Sequence, residues 1–359
     1  MQQLNRLFRV TASACAIAVL ASASVLLAQG AQSDRQALPG GAAAKALVAK
    51  VTAKGFVPPK TPWGHPDIQG VFTTKDEANT PFEQPAEWAG RKMEDITPAE
   101  FAEAIGNRQR RAVETAPFAG GGEPEEGVAI AVPIHWFDNL AARDSRPWFV
   151  IEPANGKVPP LSAEGQKRRQ PRRGPNGGAR NSYLDRSLND RCIAMTWRQP
   201  TIYGNSYQII QTPDYVVLRR EQIHEARIVR LDNRPHVDPR LRTYEGDSRG
   251  HWEGNTLVVE TTNFAPNVPY RPGVGFGGGE IAPGARARVI ERFTRTSRHK
   301  VEWTVTHDDP DTWTRPWSYS YPLTEDDTQP IFEYACHEGN FGIANILSAG
   351  RSAEKAVKP

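Results

Sequence analysis

The sequence predicts a mainly β protein. Residues 190–350 read as an antiparallel β-barrel or sandwich, behind a mostly irregular N-terminal region with one or two short helices. Three observations carry this. Short runs of alternating polarity follow one another from Asp190 onward: Val289, Glu291 and Phe293 against Ile290, Arg292 and Thr294, then Val301, Trp303 and Val305 against Glu302, Thr304 and Thr306. Turn residues stand between the runs, with Pro213-Asp214 after Gln208–Gln211 and Gly254-Asn255 at the tip of a hairpin. Little helical periodicity separates the strands, which argues against the βαβ units of a parallel sheet.

The chain opens with Arg6 and Arg9, an uncharged, mostly small and apolar run from Thr11 to Ala28, and then small residues and glutamine. This is the layout of a cleaved secretory signal peptide over residues 1–30, so the protein is expected to be periplasmic or secreted, with no membrane span left after cleavage. Removing Arg6 and Arg9 takes the net charge from +3 to +1, a balance that calls for no nucleic-acid partner. Cys15 leaves with the signal. The two remaining cysteines, Cys192 and Cys336, are expected to form a disulfide in an oxidising compartment.

Residues 31–60 are small, polar and proline-punctuated and read as a flexible tether with room for one short helix. Residues 61–189 read as an irregular and helical region packed on the barrel. A helix is expected from Thr97 to Arg111, with Thr97 as cap, Pro98 at the first position and Glu100 three residues on. A short strand, Trp148–Glu152, a turn at Asn155-Gly156 and a capped helical turn from Ser162 follow. Lys167–Arg180 is strongly basic, but its prolines and glycines favour a solvated loop. Residues 351–359 read as a tail.

The strings "HEARIVRLDNRPH", "GDSRGHWEGNTLVVETTNF", "DPDTWTRPWSYSYPL" and "FEYACHEGNFGIANILS" resemble a large family of exported bacterial proteins to which no function is assigned; the resemblance runs from about Trp63 to Arg351. The G-x-W-x-G-x-T-L-V-V hairpin, Gly250–Val259, is also similar to hairpins of lipocalin-like (calycin) barrels, which implies fold and not activity. Pro269–Gly284 departs from the family pattern as a glycine-rich insertion. Within it, Gly273–Gly278 matches G-x-G-x-x-G, but a proline-rich loop precedes it and no helix follows, so it is no dinucleotide fingerprint.

Three stretches gather chemistry-bearing residues. In "YEGDSRGHWEGN", Asp247, Ser248, Arg249 and His251 precede the hairpin and read as a turn and not as a catalytic triad. Reading Gln222–Arg230 as one strand puts His224 and Arg230 on one face and Arg227 on the other. Reading Ile331–Glu338 as the closing strand puts Glu333 and His337 on one face, Tyr334, Cys336 and Glu338 on the opposite one, and leaves open which set points inward. On the sharper reading His337 or His224 moves a proton, Glu333 or Glu338 orients it, and Arg227, Arg230, Arg292, Asp308, Tyr334, Trp252, Trp303, Trp313 and Trp317 bind substrate. On the plainer reading the charged groups are interior ion pairs. Metal-ligand spacing is absent, and neither a metal nor a cofactor is expected. The expected function is therefore an exported enzyme doing hydrolytic or lyase/isomerase acid–base chemistry on a small polyhydroxylated or aromatic compound. The alternative is a periplasmic barrel that binds such a ligand without turnover.

Overall fold

The computed structural model describes residues 38–77, 80–114, 145–170, 181–188, 190–194, 206–266, 280–326, 328 and 330–357. Helix α1 (Gly41–Val51) precedes strand β1 (Gly70–Thr73). Helix α2 (Pro98–Glu114), β2 (Val150–Glu152), α3 (Ala163–Arg168) and β3 (Arg169–Gln170) follow. Then come β4 (Tyr207–Gln211), β5 (Tyr215–Arg220), β6 (Ala226–Arg230), β7 (Asp247–Glu253), β8 (Thr256–Thr262), β9 (Glu280–Ile281), β10 (Arg288–Ser297), β11 (Lys300–Asp308), β12 (Trp317–Glu325) and α4 (Phe341–Val357).

The fold is mainly β, as expected. Strands β4, β5, β6, β7, β8, β10, β11 and β12 are hydrogen-bonded in sequence order, and β1 closes the sheet by pairing with both β12 and β4. The result is a barrel of nine strands, with β2 added outside it on the edge of β12. A closed ring of strands that are all antiparallel needs an even number, so nine strands force one parallel joint. That joint is β6 with β7, paired at Arg230 and Arg249. Gly250 permits the close approach there: a Cβ on it would lie 2.7 Å from Val229 and 2.9 Å from Leu231.

Alternation along the strands fills the interior. Val289 and Phe293 of β10, Val301, Trp303 and Val305 of β11, and Trp317, Tyr319, Tyr321 and Leu323 of β12 are all buried in one core. Phe293 stacks on Trp303 at 5.3 Å, and Trp303 lies 5.0 Å from Tyr321. Each such ring removes roughly 150–250 Å² from water, worth on the order of 4–6 kcal/mol as an upper figure.

Local signals hold where they were strong. In α2 the Thr97 and Glu100 side chains cap each other's backbone N–H, and in α3 Ser162 Oγ accepts from Gly165 N. The Cys192–Cys336 disulfide is present, with Cα atoms 5.6 Å apart. Three expectations are corrected. Residues 331–338 form no strand: both ends of the β12 edge are occupied, by β1 and β2, and the segment turns through Cys336–Gly339 into α4, which extends through most of the expected tail. Gln222–His224 is a 3-10 turn and β6 starts only at Ala226, because Ile223 takes a left-handed φ of 60°. The expected tether is ordered from Leu38 onward: Leu38 packs on Val258 and Ile290, and Ala53 N donates to Thr296 O. Barrel strands are also not confined to residues 190–350, since β1 precedes them, and Asp247–His251 belong to strand β7 and not to a turn. The signal segment, the G-x-G-x-x-G match and most of the basic run lie outside the described residues.

Candidate functional site

The pattern that fills the barrel also carries charge inward. Arg227 shares a face of β6 with Val229, and Glu291 lies between Val289 and Phe293 on β10, so both are buried. Arg227 Nη2 donates to Glu291 Oε1 at 2.8 Å, Nη1 donates to Glu291 Oε2, and Nη1 also reaches Thr261 Oγ1 at 3.2 Å. Burial opposes the Arg227 charge, but Glu291 outweighs it and raises the guanidinium pKa. Such a pair is weak evidence of stability gained, yet removing one partner leaves an uncompensated charge in the core.

The turn between β5 and β6 positions the next two groups. Arg220 N donates to Glu225 O, and Glu221 is tied to Ser206 by Glu221 N to Ser206 O and Ser206 N to Glu221 Oε2. A β-branched residue at positive φ, here Ile223, costs of order 1–3 kcal/mol and persists only where its surroundings hold it. Alternation on β5 places Arg220, its last residue, inside the barrel end, with its Cζ 5.3 Å over the Tyr207 ring and Nη1 3.8 Å from Glu225 Oε2, the residue that follows the strained turn. Burial opposes this charge too, but Tyr207, Glu225, Tyr321 and Glu245 raise its pKa. Burial, then Tyr207 and Tyr319, hold the Tyr321 hydroxyl well above the ordinary tyrosine range, so it stays neutral in water at any physiological pH. Glu245 enters from the opposite side of the parallel joint, just before β7. Gly246 after it has φ 72°, and a Cβ there would meet Thr262 O at 2.4 Å.

These groups surround one pocket at the barrel end where β4, β6 and β7 begin and β5 ends. It is lined by Tyr207, Ile209, Leu218, Phe293, Trp303 and Leu323 as the apolar part, and by Gln208, Arg219, Arg220, Glu225, Arg227 and Glu245 as the polar part. Its empty space, open mouth included, is about 490 Å³.

Of the residues singled out from the sequence, Arg227 and Trp303 line this pocket. His337, Glu333 and Glu338 are exposed on the segment that carries Cys336, and Tyr334 is half-buried there. His224 lies on the turn before β6. Arg230 points outward beside Asp232, 3.7 Å away, and over the Tyr215 ring, so the expected pairing of His224 and Arg230 in a cavity is corrected. Arg292 is on the outer wall, donating to Leu38 O and Pro39 O. Asp308 also faces outward, bonded to Arg288. Trp313 and Trp317 are core rings 5.6 Å apart, and Trp252 is half-buried against His65 at 5.4 Å. Sequence reasoning missed Tyr207, Arg220, Glu225 and Glu245. A signal existed for one of them: on a regular β5, Arg220 shares a face with Val216 and Leu218, which marks a buried arginine.

Among the described residues no group of three or more His, Cys, Asp and Glu side chains could hold a metal ion, and no helix is long and apolar enough to cross a membrane. No protein-family model matches the sequence, and neither does any curated protein.

Proposed function

We propose that this is an exported barrel that binds a small polyhydroxylated or aromatic compound in the pocket between Tyr207, Arg220 and Trp303. The observation that carries the reading is the pocket lining, apolar rings on one part and convergent charged groups on the other, which is the usual composition of small-molecule sites. Charge narrows the ligand. In the lining Arg220 and Arg227 stand against Glu225 and Glu245, with Glu291 paired to Arg227 behind it, while Arg219 is on the outer face of β5 and bonds Gln208. A neutral ring bearing hydroxyls suits that balance better than an anion, because its hydroxyls both donate and accept. The disulfide supports export, since such bridges persist in oxidising compartments.

A second reading, an exported hydrolase or lyase, is favoured by two carboxylates, Glu225 and Glu245, that line the same pocket beside Arg220. In it they take the acid–base roles that the sequence assigned to His337 and His224.

Titration with 2-naphthol and catechol, followed by calorimetry, tests the binding reading. Saturable one-to-one binding is expected, weakened at least tenfold by Arg220→Met. Absence of binding by the unaltered protein, together with no co-purified small molecule in native mass spectrometry, overturns it. Conversion of the ligand to product, lost in Glu225→Gln or Glu245→Gln, favours the second reading.

A further inference from the structure

The parallel joint has a consequence for the chain between its two strands: residues 231–246 must run back outside the barrel from the end of β6 to the start of β7. Asn263 Nδ2 donates to Val237 O and Asp238 O, and Thr243 N donates to Asn263 O; a charged cluster around His236 adds to these ties on the crossover. His236 Nδ1 lies 2.7 Å from Asp247 Oδ2, and Val237 N donates to the same oxygen at 3.2 Å. The other ring nitrogen, Nε2, is buried without a hydrogen bond, 3.8 Å from Glu260 Oε2. The groups facing His236 are thus Asp247 on β7 and Glu260 on β8. Behind them, Arg249 of β7 donates to Asp247 and reaches Asp232 at 3.5 Å, while Arg288 of β10 lies 3.3 Å from Glu260 and is bonded to Asp308 of β11.

A neutral imidazole can donate from Nδ1 to Asp247, but it then turns a lone pair toward the Glu260 carboxylate. The doubly protonated ring gives each carboxylate an N–H. The same crossover ends in Glu245, which forms part of the pocket wall.

We infer that protonation of His236 clamps the crossover onto β7 and β8 and thereby fixes Glu245 in the pocket wall, so that ligand occupancy depends on pH. The last clause rests on the binding reading above; the clamp itself does not. Its sign follows from the surroundings. Burial disfavours the imidazolium, but the Glu260 and Asp247 carboxylates outweigh it and hold the His236 pKa above the ordinary histidine range. Asp247 and Glu260 are correspondingly held below theirs. A folded-state pKa raised above the unfolded one means stabilisation that is complete below the unfolded value and is lost as pH rises through the folded value. The clamp is closed in mild acid and opens toward alkaline pH.

Amide hydrogen exchange on the intact protein, corrected for the intrinsic pH dependence of exchange, tests this. Protection of the Val237, Leu241 and Thr243 amides is expected to fall about tenfold between pH 5.5 and pH 8.5, while the core amides of β11 do not change. His236→Gln should show the low protection at both pH values, and Glu260→Gln should move the transition to lower pH. No change in the unaltered protein, or an equal fall in His236→Gln, overturns the clamp. If the clamp titrates and 2-naphthol binds equally well at both pH values, the link to Glu245 is overturned. If 2-naphthol binds at neither pH, the pocket reading fails while the exchange result stands on its own.

Discussion

On the outer face of β10, β11 and β12 the side chains are mostly polar and buried; on the outer face of β4, β5 and β6 several are apolar and exposed. The first face carries Arg292, Glu302, Thr304, Thr306, Ser318 and Ser320, all shielded by the chain from Leu38 to Thr52 and around Arg146. These six side chains are hydrogen-bonded. Thr304 bonds Ser320 at 2.7 Å and Thr306 bonds Ser318 at 2.9 Å; Arg146 grips both oxygens of Glu302 at 2.8 and 2.9 Å. The second face carries Ile210, Val217 and Ile228 in one cross-strand row, with Ile228 60% exposed. Specific polar partners, more than hydrophobicity, therefore decide which wall the N-terminal segment covers. A row of three aliphatic side chains is small enough to remain in water without special explanation.

The largest way to break this contrast is Glu302→Ala. It leaves the buried Arg146 without its carboxylate, bonded to the neutral Ser320 carbonyl and Ser145 Oγ, and the expected loss is about 3–5 kcal/mol in urea unfolding. A smaller effect comes from Gly40→Ala on the same wall. A Cβ there would lie 2.0 Å from Thr306 Oγ1 and 2.6 Å from Ser318 Oγ, at a φ of 74°. The expected cost is about 2 kcal/mol, part of which Thr306→Ala should return. The smallest effect belongs to the bare wall, where Ile228→Thr should change stability by less than about 0.5 kcal/mol. A loss above about 1.5 kcal/mol would mean that something covers this face.

The contrast also explains what the sequence could and could not reveal. Strand positions from β4 to β12 were legible because alternation and turn chemistry are local, and so were the caps at Thr97 and Ser162. The burial of the polar outer residues of β10 to β12 was not legible, since nothing within the strands announces that Leu38 or Arg146, more than 150 residues away for the Arg146–Glu302 pair, will cover them. The segment 331–338 alternates as a strand would, but alternation cannot report that the β12 edge is already taken by β1 and β2. Ile343, Ile346 and Leu347 beyond it carry the three- and four-residue spacing of a helix, a signal outweighed by the preceding pattern. The candidate pocket was legible at Arg227 and Trp303, and alternation on β5 carried a signal for Arg220. Glu225 and Glu245 come from a strained turn and a crossover end, where spacing along the chain says little about direction.

The disulfide gives the molecule two different closures. Cys192 lies upstream of β4 and Cys336 downstream of β12, so eight of the nine barrel strands sit in a single covalent loop. The hydrogen-bonded circuit, however, is completed by β1, which belongs to the stretch outside that loop. A protease cut between Cys192 and Cys336 leaves both pieces tethered and able to reassemble. Loss of the stretch before residue 74 leaves every covalent link of the loop intact and the barrel open along its β12 and β4 edges.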